Sequence, residues 1–366
     1  MTGPAVPGRN NGRDLPRHAV AGAREGKLVT VGLSGATVLL TGGSSGIGAA
    51  TARTLAAAGA RVLVAGRNAA RLRAVAAETG GIALEADLSR PEGPAKLAAA
   101  ALSAAGAWDA EAAAVWDAEP ATETVAEPPA ADPLPALAHA HVRPPTGGSA
   151  PLVTPPLVTR AVPGQPPGPP GLPGPPGLGP PGPMGPMGPP RGGIDILINN
   201  AGVGWSGPLT EMSAAKVAQL VAVNLTAPIE LTRLLTPVLA AGGRGRVVFI
   251  SSIAGEVGVP HEAVYAATKA GLNYFAESLR FELAGSGVGV SVVVPGVIDT
   301  PFFARRGRPY ARRRPVPIAA QRAARAVLLA IEREQPVAFV PRWLRFPAWL
   351  HGAAPATFRA LATRFG

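Results

Sequence analysis

Two groups of residues in this 366-residue chain have types and spacings that suit chemistry. In the first, the apolar run 246–251 ends in Ser251-Ser252, Tyr265 follows thirteen residues after Ser252, and Lys269 stands four further on in VYAATKAG. A Tyr and a Lys at i and i+4 share one helix face. An ammonium beside a phenol favours the phenolate and lowers a pKa ordinarily about 10, so Tyr265 is expected to exchange a proton near neutral pH. Ser252 is suited to hydrogen-bond the same substrate oxygen. A Tyr-Lys pair alone is commonplace, and its meaning depends on what stands around it.

The second group is Thr41-Gly42-Gly43-Ser44-Ser45-Gly46-Ile47-Gly48, at the junction of an apolar run and a helical segment. Glycines there let the backbone turn tightly and approach a pyrophosphate, and a helix N-terminus offers it N–H groups and a positive dipole end. A purely structural turn is the other reading. Dinucleotide folds place a carboxylate about 20 residues on, against the ribose 2′-hydroxyl; here that place reads Ala65-Gly66-Arg67-Asn68. With no acid present, and with Arg67 able to pair a 2′-phosphate through its planar fork, NADP(H) is expected over NAD(H). The alternative is a solvated arginine at a helix start. Asp87-Leu88 follows the next apolar run, where an adenine would lie, and an Asp there is equally a helix cap.

Elements must hold these groups in place. Apolar runs of strand length occupy 36–41, 61–65, 82–86, 194–199, 246–251, 289–295 and 337–341. Between them, helical patterns cover 46–58, 69–78, 96–105, a long helix running to about 240, 264–283 and 319–332. This alternation predicts an α/β fold: a doubly wound, seven-stranded parallel sheet covered by helices on both faces. The sheet is expected to form one domain from 35–107 and 192–341. A flexible extension at 1–34 precedes it, and a basic aromatic segment at 342–366 follows it. Of the 42 prolines, 24 fall within 108–191, which reads as a low-complexity insertion. It carries WDAE at Trp108 and Trp116 and a collagen-like run in which Gly recurs every third residue from Gly168 and slips frame at Gly179. A solvated polyproline-like linker is expected there rather than a trimerising stalk.

Composition excludes several classes. There is no Cys, so disulfides, iron–sulfur clusters, thiolate zinc and a Cys nucleophile are ruled out, and the five His show no metal-ligand spacing. The net charge of +11 sits entirely in 301–366, which holds 13 Arg against Glu332 and Glu334. Confined to one segment and without a recognition motif, it does not point to nucleic acid. No signal-like run and no stretch of about 18 apolar residues are present, so a cytoplasmic protein is expected.

These motifs together resemble the short-chain dehydrogenase/reductase family in its form of about 250 residues, over 34–107 and 192 to about 340. TGGSSGIG matches TGxxxGxG, Asn199-Asn200-Ala201-Gly202 matches NNAG, Ser252 with Tyr265 and Lys269 matches Ser and YxxxK, and Pro295-Gly296-Val297-Ile298-Asp299-Thr300 resembles the PG segment against the nicotinamide. The resemblance implies hydride transfer between a nicotinamide and a carbonyl or alcohol carbon. It implies Tyr265 as general acid/base, Lys269 lowering its pKa and holding the nicotinamide ribose, Ser252 orienting the carbonyl, and Asn224 holding a proton-relay water. It further implies Gly42, Ser44, Ser45, Gly46, Ile47 and Gly48 along the pyrophosphate and adenosine, Asp87, Leu88 and Asn200 around the adenine and its ribose, and Ile298 and Thr300 at the carboxamide. A small-molecule substrate follows. The alternative is a non-catalytic nucleotide-binding scaffold assembled through the collagen-like insert.

The C-terminal segment departs from the family, whose reductases often end in a Gly-rich strand that builds a tetramer. A dimer is therefore expected rather than a tetramer. Trp343, Leu344, Phe346, Trp349 and Leu350 alternate with Arg342 and Arg345, a pattern for packing on the domain or a partner subunit, or for peripheral membrane contact through 342–366. Six Arg between Arg305 and Arg314 fall where the family keeps its substrate lid, and they read as a solvated charge run or an attractor of acidic substrates.

Overall fold

A computed structural model describes residues 33–118, 193–311 and 314–365. Strand β1 (Thr37–Thr41) is buried along its whole length. Successive strand residues point to opposite faces, so apolar residues at every position need cover on both sides. The same holds for β2 (Arg61–Gly66), β4 (Ile196–Asn199), β5 (Arg246–Ile250) and β6 (Gly289–Pro295), while β3 (Ile82–Glu85) is half-buried at the edge. A short pair, β7 (Ile298–Asp299) and β8 (Ile318–Ala319), leads to β9 (Val337–Val340). The main sheet has seven parallel strands in the order β3-β2-β1-β4-β5-β6-β9, as the strand and helix alternation predicts.

Helices cover both faces. Leu39, Leu63, Leu197 and Phe249 join Leu97, Leu231 and Leu272 on one side. On the other, Leu40, Val64 and Ile198 meet Leu55, Leu72 and Val327. These partners come from α1 (Gly46–Ala57), α2 (Ala69–Thr79), α3 (Gly93–Ala118), α5 (Ala227–Ala241), α6 (Ala263–Glu282) and α8 (Ala320–Glu332). Sequence order reverses between the neighbours β1 and β4, and in open α/β sheets the crevice at the carboxyl ends of such strands takes the ligand.

The structure corrects two boundaries. After β4 a single long helix is expected, but the chain runs through a loop, a 3-10 turn (Leu209–Glu211), α4 (Ala214–Val221), a π-helical turn (Ala222–Thr226) and only then α5. Gly202, Gly204, Gly207 and Pro208 keep the loop out of helix, and Ser213 caps α4 by accepting from Lys216 N at 3.2 Å. The second correction concerns α3, which continues past the expected start of the insertion at 108. Asp109 is buried and pairs with Arg61 at 2.6 Å, and the Arg61 guanidinium lies 5.5 Å from the Trp108 ring. The first WDAE repeat is thus part of the folded unit, because its alanine-rich surroundings are strong helix formers. The rest of that insertion with its collagen-like run, and nearly all of the N-terminal extension, lie outside the described residues.

The C-terminal segment forms a 3-10 turn (Arg342–Leu344), α9 (Arg345–Ala353) and α10 (Pro355–Phe365). Leu344 is buried against Gly296, where an added Cβ would lie 2.7 Å from Leu344 Cδ1. Among the described residues, no helix is long and apolar enough to cross a membrane.

Candidate active site

At the carboxyl edge of the sheet lies a cavity of about 1560 Å³. Every sequence-predicted site residue lines it except Asn224, which is fully buried.

Gly42 and Gly46 have φ of +69° and +58°, the left-handed region that glycine enters without strain. At Gly48 the constraint is space: a Cβ would stand 2.2 Å from Gly42 O and 2.6 Å from Asn200 Nδ2. Asn200 fastens this turn, donating through Nδ2 to Thr41 O at 2.9 Å and Gly42 O at 3.2 Å. Its amide hydrogens are thus engaged with the turn rather than directed at a ribose. Thr41 Oγ1 accepts from the backbone N–H groups of Asn200 and Ala201, both at 3.0 Å, and so ties β1 to the end of β4. The first turn of α1 has no acidic residue, and Ser45 makes no side-chain cap, which leaves amide donors and a positive dipole end beside the turn. A backbone that only glycine can follow, beside uncapped amides, fits a pyrophosphate.

Next to it stand four cations. Arg67, Arg71, Lys216 and Arg305 all line the cavity. Burial, then Arg71 and Arg67, lower the Arg305 pKa, and burial with Arg67 lowers that of Lys216. Arg305, in α7 (Phe302–Arg305), reaches Ser45 Oγ at 3.3 Å through both terminal nitrogens. Asn68 caps α2 by accepting from Arg71 N at 2.9 Å, which aims the first turn of that helix at the cluster. Sequence reasoning found Arg67 and missed the other three. Arg71, at i+4 from Arg67, had a periodicity signal; Arg305 stood out only as the start of the arginine run at the lid, and Lys216, from a distant element, had no signal. Asp87 accepts from Ser89 N at 3.0 Å and Ser89 Oγ at 2.7 Å, and these bonds hold its carboxyl below the usual range. It closes a local turn at the cavity wall.

The reacting groups meet on another stretch of the same wall. Ser252 follows β5 and caps a 3-10 turn, accepting from Ala254 N at 3.2 Å, and its hydroxyl acts to lower the Tyr265 pKa. Tyr265 and Lys269 stand one turn apart on α6, both buried. Lys269 Nζ donates to Ile250 O at 2.8 Å and lies 6.0 Å from the centroid of the Tyr265 ring. Here the expected electrostatics is corrected. Burial pushes the phenol up to about 12, against the lowering effect of Ser252. Burial also brings Lys269 down to about 8. Desolvation disfavours either charged form, and the ammonium is turned toward a strand carbonyl. Beside the phenol, Phe302 packs at 5.6 Å between ring centroids, and Glu262 pairs with Arg306.

Asn224 sits in the π-helical turn, a device that recurs at functional sites. Its Oδ1 accepts from Val203 N and its Nδ2 donates to Val203 O, both at 2.9 Å, and Nδ2 also donates to Thr268 Oγ1 at 3.2 Å. Both amide hydrogens are used, leaving one lone pair on Oδ1 for a water. Gly202, Asn224 Oδ1 and Lys269 Nζ converge: a Cβ on Gly202 would lie 3.5 Å from the oxygen and 3.7 Å from the nitrogen. Pro295, Gly296, Ile298 and Thr300 form the wall facing the glycine turn, with Thr300 Cγ2 at 3.0 Å from a Cβ built on Gly46.

Comparison with known proteins bears on the family and the fold. The profile of the short chain dehydrogenase family matches residues 36–112 and 190–310, more than half of the chain. The ketoacyl reductase HetN of a Nostoc species is 46% identical over 108 residues, 30% of this chain and 38% of that protein. A dehydrogenase/reductase SDR family protein 7-like of Anopheles gambiae is 31% identical over 175 residues, 46% of this chain and 55% of that protein. These matches thus span 38% and 55% of the curated relatives' length. Among solved structures, a short-chain dehydrogenase from Sphingobium yanoikuyae in complex with NADPH superposes with a TM-score of 0.54 at 25% identity, covering 88% of this chain and 96% of that one. One from Burkholderia phymatum in complex with NAD shares the fold with a TM-score of 0.60 at 19% identity, covering 88% and 94%.

Proposed function

Since the chain belongs to the short-chain dehydrogenase/reductase family, we propose that it is an NADP(H)-dependent oxidoreductase acting on a carbonyl or secondary alcohol of a small organic substrate. The observation that carries this reading is Ser252, Tyr265 and Lys269 gathered on the wall of the same cavity that the glycine turn lines. When bound, the nicotinamide supplies or accepts the hydride. The chain's own residues do the rest. Ser252 donates to the substrate oxygen and holds it next to the Tyr265 hydroxyl, stabilising the negative charge that develops there. Tyr265, with its pKa pushed up to about 12, keeps its proton at neutral pH and delivers it to that oxygen, which suits the reducing direction. Lys269, brought down to about 8, is poised to replenish the proton. Asn224 holds the Val203 loop against Lys269, and its remaining lone pair suits a relay water.

NADP(H) is favoured over NAD(H) by the cluster of Arg67, Arg71, Lys216 and Arg305, whose mutual repulsion a 2′-phosphate would relieve. The test is a screen of NADPH oxidation over ketones, aldehydes and 3-oxoacyl thioesters, repeated with NADH. Tyr265→Phe is expected to lower kcat by about 10²- to 10⁴-fold, as loss of general acid catalysis does. Unchanged turnover in that variant, or a higher kcat/KM with NADH, overturns the mechanism or the cofactor assignment respectively.

A further inference from the structure

The cavity does not end at the phenol. An apolar stretch of its wall, Phe302, Leu344, Phe346, Leu350, Phe358 and Leu361, carries it onto the C-terminal helices, with Arg306, Arg308 and Arg314 also lining it. There, large rings stand in solvent: Trp343, Phe346 and Trp349 are 56%, 62% and 63% exposed. Their spacing of three residues puts them on one side of the 3-10 turn and α9, and Phe346 and Trp349 lie 6.0 Å apart between ring centroids. Arg342 and Arg345 stand four residues before Phe346 and Trp349, so two of the three exposed rings have an arginine one turn before them. Arg359 is exposed on α10. From residue 335 to the end of the chain there is no Asp or Glu.

We propose that α9 and α10 dock on an anionic lipid surface, and that the cavity mouth opens there to admit a long-chain lipid carbonyl dissolved in the bilayer. Exposed rings beside arginines, in a segment that carries no carboxylate of its own, complement a layer with acyl chains below and phosphates at its edge. A second copy of the chain fits poorly. A two-fold contact would set this patch against itself, guanidinium to guanidinium, with no acid in 335–366 to compensate. The mouth's position adds the substrate class: a water-soluble ketone needs no apolar passage from an aromatic rim to Ser252 and Tyr265. The lipid surface stands independently of the proposed activity, whereas the substrate class rests on it.

The test uses the full chain and a variant in residues outside the cavity wall, Arg342→Gln, Arg345→Gln and Trp349→Ser together. Vesicles of equal phosphatidylglycerol and phosphatidylcholine are expected to sediment the wild-type protein, and pure phosphatidylcholine vesicles much less of it. The two arginine changes alone lower the partition coefficient about 25-fold, at about fivefold each. Reduction of a short water-soluble ketone by NADPH stays unchanged in the variant, while reduction of hexadecanal carried in the anionic vesicles falls by a similar factor. Absent or variant-independent vesicle binding overturns the docking surface. A self-association lost in the variant, without vesicle binding, gives the face to a second copy and also overturns it. Wild-type protein that binds vesicles and reduces the soluble ketone but not hexadecanal overturns the substrate class. Vesicle binding without turnover of any carbonyl leaves the surface supported and instead refutes the oxidoreductase reading.

Discussion

Replacing Lys269 by Met isolates the electrostatic cost of this site. Burial lowers the ammonium from 10.5 to about 8. At about 1.4 kcal/mol per pKa unit, carrying that charge in the folded protein at pH 7 costs about 3 kcal/mol. Proton counting gives the sign. Below the folded value of about 8, both states hold the proton and the cost is present in full. Between about 8 and 10.5 the unfolded chain binds more protons than the folded one, so wild-type stability rises with pH through that window. Above it the cost is gone. Met keeps an unbranched apolar chain in the same space but gives up the 2.8 Å hydrogen bond to Ile250 O, worth about 1 to 2 kcal/mol. The variant should therefore be about 1 to 2 kcal/mol more stable than wild type at pH 7 and less stable by a similar amount above the unfolded value, a swing of about 3 kcal/mol. Tyr265, pushed up to about 12, titrates alike in both proteins and drops out of the difference. The assay is urea unfolding followed by tryptophan fluorescence across that pH range. A wild-type-minus-variant difference that stays constant with pH refutes the claim that burial governs this lysine.

Two further outcomes follow from the geometry. Gly48→Ala places a Cβ 2.2 Å from Gly42 O, so the turn must open, costing about 1 to 3 kcal/mol of stability by overpacking and weakening NADPH binding; nucleotide fluorescence titration reads the second effect. Asn224→Ala leaves half-buried partners at Val203 N and Val203 O unpaired and should cost about 1 to 3 kcal/mol in chemical unfolding; Asn224→Asp restores only the acceptor half and should fall between.

Much of this site was legible in the sequence because its parts are local. The glycine turn lies in one strand-to-helix junction, where Gly42 and Gly46 need a positive φ and Gly48 needs an empty Cβ position. Tyr265 and Lys269 are one helical turn apart, so periodicity alone pairs them. The parallel sheet was equally legible, since β1, β5 and β6 are apolar at successive positions and require cover on both faces. The end of the folded unit near 108 was not. Alanine-rich text reads as low complexity until Arg61, forty-eight residues away, is seen to claim Asp109.

What the tertiary structure decided are quantities that depend on distant neighbours and on water. The sequence paired Lys269 with Tyr265 but carried no information on their burial, and desolvation reversed the expected shift of the phenol. It supplied Arg67, while the cluster that makes a phosphate attractive also needs Lys216 from α4 and Arg305 from α7. It showed a basic aromatic segment, but only the fold, with Leu344 packed against Gly296, shows that Trp343 and Phe346 line the cavity. Residue types and local spacing fix which groups are available for chemistry. The fold fixes their dielectric surroundings and their company, because both arise from contacts that separation along the chain does not encode.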